Sequence, residues 1–164
     1  MKPYIGIDNG VSGAAAYISP DGLLIDWIAM PIQKARKGNE IDVVALWAWL
    51  RKVTGDRPAT PTYIVEEPGG SKSAKAACSM AGSFHALRAM LAMESCIMHR
   101  VTPQSWQRHM LPGAKAGDTK PRALEFARRL WPAERWLETE RCTRPHDGAI
   151  DAALIAEWGR RTAL

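Results

Sequence analysis

Residues 3–13 read PYIGIDNGVSG, and the reading of this stretch decides the fold. Tyr4, Ile5 and Ile7 make a short apolar strand that carries one carboxylate, Asp8, and then breaks at Gly10 and Gly13. Side chains alternate along a strand, so Tyr4, Gly6 and Asp8 share one face while Ile5 and Ile7 share the other. A carboxylate on a central strand costs stability unless something binds it. Two readings of Asp8 stand at this point: a turn aspartate that caps the glycine loop, or one arm of an acidic metal site.

Outward from this stretch, small Ala14, Ala15 and Ala16 lead into a second strand that ends near Tyr17 or Ile18. Asp21-Gly22 is a hairpin turn signal, and residues 23–30 read as a third strand, giving an antiparallel meander. Residues 31–39 are polar, basic and turn-rich, which predicts an exposed loop. Ile41, Val44, Leu46, Trp47 and Leu50 recur at helical spacing and predict a first helix over 40–53. After a linker at 55–61, TYIVEE at 62–67 predicts a fourth strand. Ile64 and Glu66 lie on one of its faces, Tyr63, Val65 and Glu67 on the other. A buried parallel strand should be almost wholly apolar, so an acid at its C-terminal end is a second anomaly. Ligands of open α/β sheets gather at such strand ends.

Residues 71–94 predict a long helix rich in Ala, Ser and Gly, suited to close packing on a sheet or on a second copy. The loop ahead of it, GGSKS, suits a phosphate or is a plain flexible connection; it lacks P-loop spacing. A fifth strand is expected at 96–101 and a short helix at 104–110, opened by Thr102-Pro103. Trp106 on that helix either packs beneath the loop or stacks near a ligand. A loop at 111–120 precedes a basic helix at 121–130, and another loop covers 133–144. The last helix, 145–162, opens on Pro145 and carries Asp147 and Asp151 on one face, a like-charge pair that costs about 0.2–0.5 kcal/mol. Asp147 in the first turn suits the helix dipole. Asp151 borders the apolar stripe of Ile150, Leu154, Ile155 and Trp158, and the pair is otherwise a solvated acidic edge.

At 164 residues the chain suits one domain, residues 1–164. Apolar content of 46% and charged content of 24% are ordinary for a globular protein. No run approaches 18 uninterrupted apolar residues, so no membrane span is expected, nor a signal segment. Cys78, Cys96 and Cys142 have no metal-type spacing and read as reduced thiols, which implies a cytoplasmic location. The net charge of +5 is concentrated in three clusters: Lys34, Arg36 and Lys37; Lys72 and Lys75; and Lys115, Lys120, Arg122, Arg128 and Arg129. A basic surface around an acidic site suits an enzyme that cleaves phosphodiesters.

Asp8, Glu66, Asp147 and Asp151 thus come from three separate elements. Four converging carboxylates repel unless a cation joins them. Mg2+, with Mn2+ able to substitute, is the hard, oxygen-seeking choice. Two such ions about 3.5–4 Å apart would clamp the attacking water and the leaving oxygen of a phosphodiester.

The order IGIDNG, IVEE, VTPQSW and HDGAIDAALIAEWG resembles the RuvC-like Holliday junction resolvases of the ribonuclease H-like superfamily, the short bacteriophage type above all. The resemblance runs from residue 2 to residue 161. It implies a ribonuclease H-like α/β fold: a five-stranded mixed sheet flanked by helices. It also implies a homodimeric, Mg-dependent endonuclease that binds branched DNA, places paired symmetric nicks in four-way junctions and needs no small-molecule cofactor. The setting implied is a bacterial or phage-infected cytoplasm. Asp8, Glu66, Asp151 and Asp147 match the family's metal site, with two ions per active site. Lys72, Lys75, Lys115, Lys120 and Arg122 are the expected backbone contacts. Two features depart from the pattern. Glu67 competes with Glu66 as ligand, and the final acids stand four apart instead of three. If that spacing displaces Asp147, His146 beside it is the alternative aid to a water or leaving group.

Three rival readings remain at this point. An actin-like or sugar-kinase ATPase shares a GIDxG-like first loop but needs two such domains. A nuclease of the same fold acting on forks, flaps or RNA would keep the metal site and differ around it. A non-catalytic junction-binding protein would have no reason to aim four acids at a phosphate backbone.

Overall fold

The computed structural model of the chain describes every residue except 1, 37, 56, 58, 59, 71, 72 and 116. Its strands and helices follow the order β1 (Tyr4–Asp8), β2 (Ala14–Ile18), β3 (Leu24–Ala29), β4 (Ile32–Ala35), β5 (Gly38–Ile41), α1 (Val43–Thr54), β6 (Thr62–Glu66), α2 (Ala74–Met93), β7 (Ile97–Val101), α3 (Pro103–Met110), α4 (Thr119–Leu130) and α5 (Asp147–Arg161). Five strands form a mixed sheet in the order β3-β2-β1-β6-β7. The first three are antiparallel, whereas β1–β6 and β6–β7 are parallel. This is the ribonuclease H-like α/β arrangement that the resemblance implies.

Strand alternation divides the interior into two cores. Tyr4, Ala16 and Ile64 face α3, α4 and α5, while Ile5, Ile7, Tyr63 and Val65 face α1 and α2. The α5 face is built for close approach. A Cβ on Gly6 would lie 2.0 Å from the Ala152 carbonyl oxygen and 2.5 Å from the Ala156 nitrogen, so α5 rests directly on the β1 backbone. The buried run Ala149, Ile150, Ala152, Ala153, Leu154, Ile155, Ala156 lets the rest of the helix lie equally flat.

The structure corrects several boundaries. The segment expected as a loop at 31–39 holds a separate two-stranded hairpin, β4–β5. Residues 32–34 and 38–40 are all exposed, so neither face needs an apolar stripe and no alternation marks the strands. Glu40 and Ile41 belong to that hairpin, and α1 begins later because the Asp42 side chain accepts the Ala45 N–H at 2.9 Å. Such a cap contributes about 1 kcal/mol. Leu23 is drawn out of the third strand into a turn with Ser19, whose Oγ accepts the Leu23 N–H. Helix α4 starts at Thr119, which places Lys120 on the helix and not in the preceding loop. Helix α5 starts at Asp147 rather than at Pro145, with His146 as its cap. No helix among the described residues is long and apolar enough to cross a membrane.

Candidate metal centre

Strands β1 and β6 run in parallel register, Ile7 beside Val65, so the next residues, Asp8 and Glu66, end neighbouring strands at one sheet edge. Alternation puts both on the α5 face. Their carboxyls are hydrogen-bonded to each other. The third acid arrives on α5, whose first turn is pressed against the loop after β1. A Cβ on Gly148 would stand 2.8 Å from the Ser12 carbonyl oxygen and from the Gly13 Cα, so only glycine lets the helix come this near. Asp151, one turn on, thereby enters the field of Asp8 and Glu66.

The three acids keep some contact with solvent yet are poorly hydrated. Burial, then the charges of Glu66 and Asp151, push the Asp8 pKa well above the ordinary aspartate value. Burial also raises Glu66, partly offset by hydrogen bonds from Trp106 and Asp8. Burial, then Glu66 and Asp147, raise Asp151 to about 7, with Lys120 pulling the other way. Acids that can ionise together only at a cost are short of positive charge.

Trp106 completes the Glu66 environment. Its indole is fully buried, and Nε1–H donates to Glu66 Oε1 at 2.7 Å. Sequence reading weighed Trp106 only as packing or as a stacking surface; the contact joins residues 40 apart, and no local pattern marks it. Asn9, next to Asp8, was also passed over. It is buried, and its Nδ2 donates to the Met80 carbonyl at 3.0 Å, tying the β1 loop to α2.

The remaining candidates sit further out. Asp147 is exposed and ion-paired with Lys120, Nζ to Oδ2 at 2.6 Å. It still contributes charge to Asp151. Glu67 lies off the shared face and pairs with Arg100 at 3.5 Å. The His146 Nδ1 accepts the Ala149 N–H at 3.1 Å, and its ring lies 5.8 Å from that of Trp27. Lys120 is thus part of the acidic cluster itself. Lys115 lines a groove with Gln104, Gln107 and Arg108. Arg122 donates to the Pro112 carbonyl at 3.2 Å, Lys75 is exposed in the first turn of α2, and Lys72 lies outside the described residues.

Among the described residues, no group of three or more His, Cys, Asp or Glu side chains is arranged to hold a metal ion as it stands. The chemistry of the donor set nevertheless fits a hard cation. It offers only carboxylate oxygens, burial raises the Asp8 and Glu66 carboxyls that stand side by side, and a fourth acid is held aside by a lysine.

No protein-family model matches the chain, and no curated protein matches it. Among solved structures, it is similar to Thermus thermophilus RuvC in complex with a Holliday junction substrate. The TM-score is 0.61 and the identity 13%, over 99% of this chain and 96% of that one. It is also similar to a second Thermus thermophilus RuvC structure, with TM-score 0.52 and 16% identity over 98% and 96%. The chain shares the RuvC fold across nearly its whole length.

Proposed function

We propose that the protein is a metal-dependent endonuclease that resolves four-way DNA junctions by paired symmetric nicks, acting as a homodimer of single-domain protomers. The observation that carries this reading is the convergence of Asp8, Glu66 and Asp151 at the C-terminal edge of a RuvC-type sheet, where burial raises all three carboxyls and their acidic neighbours raise Asp8 and Asp151 further. A structure of that fold has been solved with a Holliday junction, which supports the substrate.

Asp8, Glu66 and Asp151, with Asp147 once Lys120 lets it go, would hold two Mg2+ ions, or Mn2+ in their place. Bound there, the ions supply the charge that activates a water and stabilises the departing 3′ oxygen. The protein's own groups prepare the site. Trp106 fixes the Glu66 carboxylate through Oε1. Gly148 and Gly6 let α5 bring Asp151 to the strand ends. Lys120 stands exposed beside Asp147 and can exchange that partner for a DNA phosphate. Lys75, Lys115, Arg122 and the undescribed Lys72 would add backbone contacts, which position DNA without reading its sequence. A C2 dimer presents two such sites related as the two cut strands of a junction are. The short bacteriophage-type members that the motif order resembles act in a bacterial cytoplasm, and we assign the protein to that setting.

The test is cleavage of a labelled four-way junction with Mg2+, with EDTA and with Asp8→Asn, beside fork, linear duplex and RNA–DNA hybrid. Paired nicks near the junction centre, lost in the variant while binding persists, are expected. Preferred cutting of hybrid or fork would keep the metal chemistry and overturn the substrate. Tight junction binding with no cutting would overturn the enzyme.

A further inference from the structure

The β4–β5 hairpin has no part in the centre just described, yet it grows from the same side of the sheet. Ala29, near the end of β3, pairs with Ala14, which pairs with Asp8. The chain leaving β3 therefore starts beside the acidic strand ends. The Asp42 N–H closes the hairpin's root on the Pro31 carbonyl at 2.8 Å, and Met30 and Ile41, each 5% exposed, anchor it in the core against α1 and α2. Beyond that root every strand position from 32 to 34 and from 38 to 40 is exposed. At about 3.3 Å per residue, strands of four residues extend the arm about 13 Å.

A two-stranded hairpin with both faces in water is marginal by itself. Nothing in the core requires these residues, and their chemistry is biased. Lys34 and Arg36 are exposed and make no ion pair among the described residues. The arm's one acid, Glu40, is occupied across the ladder by Gln33 at 3.1 Å. The lysine also discourages edge-to-edge pairing with another strand. What remains is a projecting arm with unneutralised positive charge, rooted beside the acidic edge.

We infer that the β4–β5 arm grips the phosphate backbone of the DNA away from the cut position, through Lys34 and Arg36. This rests on the nuclease reading above and adds a contact surface to it. The arm supplies affinity and orientation without base contacts, so its contribution is electrostatic and salt-dependent.

The experiment is binding of a fluorescent four-way junction in EDTA between 50 and 200 mM salt, read by anisotropy. It compares wild type, the double variant Lys34→Gln/Arg36→Gln, and Lys52→Gln near the C-terminus of α1 as a control for net charge. Each phosphate contact adds about 0.9 to the slope of log affinity against log salt. The double variant should flatten that slope by about 2 for each protomer that grips the junction, so wild type loses about tenfold more affinity per engaged arm over this range. Lys52→Gln should leave the slope unchanged. An unchanged slope in the double variant, with junction binding intact, overturns the arm and leaves the nuclease reading standing. Weakened binding explained by a shift from dimer to monomer in light scattering makes the arm an interface between copies and also overturns the proposal. Wild-type protein that binds no junction removes both readings together.

Discussion

The Nε1–H of Trp106 donates to Oε1 of Glu66 at 2.7 Å, bridging 40 residues of sequence. The indole is fully buried, so no water competes for that proton. A hydrogen bond to a carboxylate restricts which oxygen, and which direction, the acid offers to a cation. Trp106→Phe keeps most of the ring and removes the donor. It is expected to weaken Mn2+ binding by about 10–100-fold in calorimetry while the far-ultraviolet spectrum is retained. The Trp106 indole proton should move in NMR between wild type and Glu66→Gln. Undiminished metal affinity in Trp106→Phe would show that the bond serves packing only.

Metal-free stability should fall as pH rises from about 4 to about 7. Asp151 titrates at about 7 in the fold against 3.8 for an ordinary aspartate, and Asp8 and Glu66 shift the same way. Over that window the folded state keeps protons the unfolded chain has lost, so stability declines with pH. Glu157 has the opposite sign. Burial opposes its ionisation, but hydrogen bonds from Arg160 and Arg161 outweigh that and hold its pKa below 4.5. Its contribution is present above 4.5 and lost as pH falls through its lower folded value. Thermal melts in EDTA should therefore peak in mild acid, and Mg2+ at pH 8 should restore what the ionised carboxyls cost. A melt that rises steadily from pH 4 to 8 without metal would contradict the acidic cluster.

Lys120 links the acids to their surroundings. Its ammonium bonds Asp147 and lowers the cost of ionising Asp8 and Asp151. The lysine is 74% exposed, so solvent screens the effect. Lys120→Met should change Mg2+ affinity less than about fivefold and upward, because a competing cation is gone. Junction cleavage should nevertheless drop, because the phosphate partner is lost. Calorimetry and single-turnover cleavage on the same preparations separate the two effects.

Gly6 holds the centre together from below. A side chain there meets the α5 backbone, not a movable side chain, so repacking cannot absorb it. Gly6→Ala should destabilise the fold by about 3 kcal/mol in urea denaturation, near the upper end for overpacking. A loss below about 1 kcal/mol would mean that α5 can lift from β1, and with it Asp151 from Asp8.

The elements legible in the sequence were those with one apolar and one anomalous face. The alternation of Tyr4–Asp8 and Thr62–Glu66 marked both strands and placed Asp8 and Glu66 on one side. The β4–β5 hairpin was not legible, because strands solvated on both faces carry no apolar period. The start of α1 was misplaced for the same reason, since Ile41 ends a strand while fitting the helical spacing. Lys120 read as a loop cation because its partner, Asp147, lies 27 residues away. The Lys120–Asp147 pair, like the Trp106–Glu66 bond, is a tertiary contact that no local pattern marks.

The most direct test of the metal centre is anomalous diffraction from crystals soaked in Mn2+. The account predicts two peaks about 3.5–4 Å apart, bounded by Asp8, Glu66 and Asp151, with Asp147 released from Lys120. Crystals of Asp8→Asn under the same soak should lose at least one peak. Wild-type crystals with no peak among these carboxylates, or with manganese held elsewhere, would contradict the reading of the acidic cluster as a catalytic metal site.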